Sequence, residues 1–136
     1  MEKREIMFEH YENPKHKSNE VLSQSVEDGS ITGCADTLVL SIEFENDKLT
    51  KIRWNGDGCS IFVSSVDILC EQLLNKTKIQ IINIINEYEK MVKTSTLPND
   101  IDLNKLTIFI DVKKHLNRLE CALIGSRAFK RVLKIG

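Results

Sequence analysis

Residues 38–73 read LVLSIEFENDKLTKIRWNGDGCSIFVSSVDILCEQL, and the change of period inside them decides the fold class. Leu38, Leu40, Ile42 and Phe44 alternate with Val39, Ser41, Glu43 and Glu45, the pattern of a half-buried strand with one apolar face. Asn46-Asp47 supplies a turn. The chain then returns over Lys48 to Asn55, with Ile52 and Trp54 on one face and Lys51 and Arg53 on the other, which predicts an antiparallel hairpin. After Gly56-Asp57-Gly58 the period becomes helical: Phe62, Val66, Leu69, Cys70 and Leu73 form one stripe.

Upstream, residues 3–11 (KREIMFEHY) predict a short helix that stops before Asn13-Pro14, because a residue preceding proline is pushed out of the α region. A polar stretch from Lys15 to Glu20 follows. Leu22, Gln24 and Val26 alternate weakly, and Asp28-Gly29-Ser30 reads as a turn. Downstream, Thr77 with Gln80 three residues on is a capping-box signature, opening a helix loaded with Ile81, Ile82, Ile84, Ile85 and Tyr88. Thr94 to Asn99 reads as a loop. A third helical region is expected from about Asp102, with Leu103, Leu106 and Ile110 inward. A last helix follows Cys121, using Ile124, Ala128 and Val132 beside Phe129 and Leu133. Strands first and helices after predict an α+β fold: a small antiparallel sheet of about three strands, covered on one face by helices, in a single domain over residues 1–136.

Composition narrows the function. The 41% hydrophobic and 29% charged fractions are those of a globular domain. Nineteen basic and 20 acidic residues leave a net charge of −1, so no global attraction to nucleic acid or anionic lipid is expected. The longest uncharged stretch, Gly58 to Val66, falls far short of the ~20 apolar residues of a membrane span. The opening MEKREIMFEH does not resemble a secretory signal. The four cysteines, Cys34, Cys59, Cys70 and Cys121, are therefore expected to be thiols in a reducing cytoplasm, where spaced cysteines point to metal binding or catalysis.

Three of them lie at predicted element ends or loops, where a site can be assembled. Cys34 and Asp36 form a C-x-D pair entering the clearest strand, which a chance pairing in a turn also explains. Cys59 follows Gly56-x-Gly58 at a helix start, where the dipole favours the thiolate; a buried cysteine after a tight turn fits as well. Cys121 is read as opening the last helix with Arg118 close by, or else as a small apolar residue there. Cys70 falls on the apolar stripe and is expected in the core. Together Cys34, Asp36, Cys59 and Cys121 offer three thiolates and a carboxylate, a set suited to tetrahedral zinc or to an iron–sulfur cluster, although spacings of 25 and 62 residues match no generic zinc finger. His10, His16 and His115 form no ligand-like pair and are expected at the surface. Arg127, Lys130, Arg131 and Lys134 read as a solvated face complementing a helix C-terminus, with a docking surface for an acidic partner as the sharper alternative. Asp57 has no paired carboxylate for acid–base work. There is no phosphate-binding glycine loop, Ser/His/Asp set or HExxH motif.

In this order the residues resemble the U-type iron–sulfur cluster assembly proteins, the SufU/IscU family with NifU-like N-terminal domains. The resemblance runs through His10-Tyr11-Glu12-Asn13-Pro14-Lys15, Cys34-Ala35-Asp36, Gly56-Asp57-Gly58-Cys59 with Ser64-Ser65, and Arg118-Leu119-Glu120-Cys121-Ala122, nearly the whole chain. The long interval from Cys59 to Cys121, and Glu120 where the IscU branch has histidine, are similar to the SufU branch. Two positions depart from the family pattern. Ala35 replaces a glycine and cannot take φ > 0 conformations as freely, and Phe62 and Val63 interrupt a serine-rich run.

The resemblance implies a SufE/NifU-like fold and a cytoplasmic protein working with a pyridoxal-phosphate-dependent, SufS-like cysteine desulfurase. It also implies zinc on Cys34, Asp36, Cys59 and Cys121, with Cys34 as the sulfur acceptor once released, Cys121 as the alternative acceptor and Arg118 beside it. Such a chain is a sulfurtransferase-like partner rather than a stand-alone enzyme, and it passes sulfur to downstream assembly proteins. The IscU-like alternative is a scaffold on which the same ligands hold a transient iron–sulfur cluster. Neither nucleic acid nor membrane is an implied partner.

Overall fold

A computed structural model of the chain describes residues 2–32 and 35–134, with residues 28–32, 35, 36 and 116 described by their backbone alone. Among the described residues the order is α1 (Lys3–Glu12), β1 (Gln24–Thr32), β2 (Ala35–Glu45), β3 (Lys48–Gly58), α2 (Ser60–Leu73), α3 (Lys78–Thr94), two 3-10 helices (Asn104–Phe109 and Val112–Lys114) and α4 (Leu116–Val132). The strands form one antiparallel sheet in the order β1-β2-β3, so the α+β expectation holds. No described helix is long and apolar enough to cross a membrane.

The hairpin turns where the sequence places it, with Asn46 at φ 52° and Asp47 at φ 67°. Positive φ at both central residues of a two-residue loop matches the right-handed twist of the strands, and Asn and Asp tolerate it. The register sets Leu38 opposite Gly56, Leu40 opposite Trp54 and Ile42 opposite Ile52, one apolar face against the helices. Gly56 is required there, since a Cβ would sit 2.3 Å from the Thr37 carbonyl oxygen.

The other face is crossed by the polar stretch after α1. Leu22 N–H donates to Ser41 Oγ, Asn55 donates to Asn19, and Arg53 pairs with Glu20 at 3.2 Å. The same stretch closes the free edge of β3, where Ser18 N–H donates to the Trp54 carbonyl and Trp54 N–H to that of His16. That pairing satisfies backbone groups that would otherwise invite another strand.

Three expectations change. Asp28-Gly29 is strand rather than turn, because Asp28 and Gly29 find ladder partners in Leu38 and Thr37; pairing outweighs local turn preference. The helix expected from Asp102 is 3-10: Asn104 sits at φ 51°, its N–H taken by the Asp102 carboxylate, and Thr107 Oγ1 donates to the Asn104 carbonyl. Phe109 is buried there with Leu103 and Leu106, and Ile110 is partly buried against the same core, as expected. The last helix begins at Leu116, so Cys121 lies in its second turn rather than at its start. The capping box of α3 forms as predicted, at 3.3 Å and 2.9 Å.

Candidate functional site

Cys59 is the single residue between β3 and α2, half-buried, with its Sγ accepting from Phe62 N–H at 3.5 Å as the helix N-cap. Its thiol is free, as is that of Cys70, which is buried in the core as expected. Burial pushes the Cys70 thiol well above its ordinary value and keeps it inert.

Two other segments reach the same end. Ala35 pairs with Gly58 across the hairpin, setting the start of β2 beside the residue preceding Cys59. Ile61, two residues beyond Cys59, and Arg118, three before Cys121, line one cavity, so the first turns of α2 and α4 are neighbours. Cys121 itself is fully buried. One turn further along α4, Gly125 lets the two helices approach: a Cβ there would lie 2.9 Å from Val66 Cγ2. Tyr88 of α3 holds the same stretch from behind, its hydroxyl donating to the Ala122 carbonyl at 2.7 Å. Cys34 and the side chain of Asp36 lie outside the described residues, and among those described no three His, Cys, Asp or Glu side chains are grouped so as to hold a metal ion. The donor types in these segments, thiolates with a carboxylate, fit zinc, which accepts both in a tetrahedron.

The densest polar cluster is one that the periodicity argument passes over. Asp67, in the middle of α2 and fully buried, accepts four hydrogen bonds: from His10 Nδ1 at 2.7 Å, Lys15 N–H at 3.0 Å, His16 N–H at 2.8 Å and Trp54 Nε1 at 3.2 Å. Burial works against the charge, but these donors outweigh it and hold the carboxyl below its ordinary value. Lys105 Nζ lies 3.3 Å from His10 Nε2 and 3.0 Å from Glu71. An ammonium only donates, so Nε2 accepts and Nδ1–H faces Asp67. His10 is therefore buried, not superficial. His16 is also half-buried; burial lowers its pKa, partly offset by Asp67 and Glu71. Only His115 of the three is exposed. The available signal is a carboxylate amid FVSSVDILC, a run too apolar for a solvated face.

Of the basic residues at the end of the chain's last helix, Arg127, Arg131 and Lys134 are exposed as expected, while Lys130 is partly buried. Lys130 pairs with buried Glu89, which also accepts from Ser126 Oγ at 2.6 Å, and Arg127 pairs with Glu120 at 2.7 Å.

Comparison with known proteins agrees with this architecture. The family model described as the NifU-like N-terminal domain matches residues 2–122. A Bacillus subtilis protein named zinc-dependent sulfurtransferase SufU is 25% identical over 129 residues, covering 94% of this chain and 86% of its own. A Streptococcus pyogenes protein named iron–sulfur cluster assembly scaffold protein IscU is 23% identical, covering 95% and 80%. Among solved structures, a putative SUF-system scaffold protein from Fervidobacterium islandicum superposes with a TM-score of 0.82 at 24% identity, over 95% of this chain and 94% of that one.

Proposed function

Because the chain belongs to the NifU-like N-terminal domain family, we propose that it is an iron–sulfur cluster assembly protein of the U type. Within that role we read it as a zinc-bound sulfur acceptor, one domain over residues 1–136, working in the cytoplasm with a pyridoxal-phosphate-dependent cysteine desulfurase. The observation that carries this is the meeting, at one end of α2, of three backbone segments: the start of β2, the Gly58–Cys59 junction and the first turn of α4. The similarity to a relative named as a zinc-dependent sulfurtransferase supports the finer reading.

Cys34, Asp36, Cys59 and Cys121 are the zinc ligands in this reading. Bound zinc keeps its cysteine ligands deprotonated. Cys34 is the acceptor. Its thiolate attacks the outer sulfur of the persulfide on the desulfurase cysteine, the sulfur–sulfur bond of that persulfide breaks, and the desulfurase cysteine leaves as a thiolate. Cys34 then carries the persulfide to downstream assembly proteins; Cys121 is the alternative carrier. Arg118, exposed on the first turn of α4, offers positive charge to the incoming sulfur anion.

Cys34→Ala is expected to abolish stimulation of desulfurase turnover while Cys70→Ala leaves it intact, and full stimulation by Cys34→Ala would overturn the acceptor role. The relative named as a scaffold supports a second reading, in which the same residues hold a transient cluster as cargo. Metal analysis of anaerobically purified protein separates the two: about one zinc per chain supports the acceptor, and iron with acid-labile sulfide the scaffold.

A further inference from the structure

A cavity of about 200 Å³, lined on the α2 side by Ile61, two residues beyond Cys59, lies between α1, the first turns of α2 and α4, and the two 3-10 helices. Its floor is apolar: Phe109 and Val112 are buried, and Met7 and Ile61 half-buried. Its rim carries Lys3, Arg4 and Arg118 against the single carboxylate of Asp111. All four rim side chains are exposed, and the one ion pair among them, Lys3 to Asp111 at 3.6 Å, has both partners more than half exposed. A pair of that kind contributes little to folding.

Three cations and one carboxylate therefore stand at the mouth of this groove on a chain whose net charge is −1. The volume is below that of small-molecule pockets, which run from about 300 Å³ upward, but it accommodates a single large apolar side chain. An apolar hole ringed by excess positive charge complements a protein segment that presents one such side chain next to carboxylates. The floor and the rim share Ile61 and Arg118 with the segments that carry Cys59 and Cys121. A partner anchored here is held within reach of the cysteine end.

We propose that this groove docks an acidic segment of the cysteine desulfurase, which inserts one apolar side chain over Phe109 and Val112. The proposal rests on the sulfur-acceptor reading above. It assigns α1, otherwise a helix with one buried residue, a task at its exposed N-terminal turn.

The test is a desulfurase titration with the full chain and with Lys3→Glu/Arg4→Glu. Neither position belongs to the sulfur or metal site, and glutamates in the first turn of a helix favour its dipole, so the variant is expected to fold. The concentration giving half-maximal stimulation is expected to rise about tenfold, with maximal turnover and zinc content unchanged, and added salt is expected to narrow the gap. An unchanged half-maximal concentration, with normal stimulation by the parent chain, overturns the groove and leaves the acceptor reading standing. A parent chain that fails to stimulate the desulfurase at any concentration overturns both.

Discussion

Helix α2 carries two regions of opposite character, eight residues apart. At Asp67 a buried carboxylate is surrounded by four donors drawn from α1, the segment after it and β3. At Cys59 the thiol is half-buried and accepts one long hydrogen bond, from Phe62 N–H at 3.5 Å. The first region is over-determined, since every donor lost leaves buried charge uncompensated. The second is held by far fewer contacts, which suits the exchange of ligands in the reading proposed above. The hub ties the N-terminal segment to the middle of the helix.

The largest effect is expected from Asp67→Ala, which strands His10 and three other donors in the interior. Losing one partner of a buried charged network costs about 3–5 kcal/mol, and urea unfolding of the variant measures it. The same hub predicts an acid response. The Asp67 carboxyl is held low in the folded chain, so its contribution is complete above the ordinary carboxyl range and lost as pH falls through the folded value. His16 is held neutral by burial, so stability begins to fall once pH drops below its ordinary value of 6.5. Stability curves of the parent chain and Asp67→Asn should therefore converge in acid; parallel curves would contradict the assigned role.

Gly125→Ala sharpens the contrast from the other side. The added methyl meets Val66 and is expected to destabilise by about 1–3 kcal/mol and, in the zinc-bound reading proposed above, to lower zinc affinity as α4 is pushed away from α2. Competition against a chromophoric chelator reads the second quantity. Tyr88→Phe removes one buried hydrogen bond to the Ala122 carbonyl, worth about 1 kcal/mol. Smallest of all is the expected effect of chelation on secondary structure: the far-UV circular dichroism spectrum should persist, since the Asp67 hub and the apolar core need no metal. Collapse of the spectrum would make the cysteine end a structural staple instead.

Much of this comparison was legible beforehand. The hairpin, the start of α2, the α3 cap and the core position of Cys70 follow from period, turn chemistry and capping, all properties of neighbouring residues. The cysteine end was legible as a set of residue types. Its described members fell in place less evenly: Cys59 sits at its helix start, whereas Cys121 is already in the second turn of α4, because that helix begins before any residue that signals it. Cys34 and the Asp36 side chain lie outside the described residues.

The sequence alone determined the order of strands and helices and which stripes turn inward, because the direction of a side chain from a strand or helix is a local matter. Only the tertiary structure decided which polar residues are buried. His10, Lys15 and His16 lie 57, 52 and 51 residues from Asp67 along the chain. No local pattern links groups so far apart; they meet because burying the apolar face of α2 brings its buried carboxylate to donors that only folding can place there.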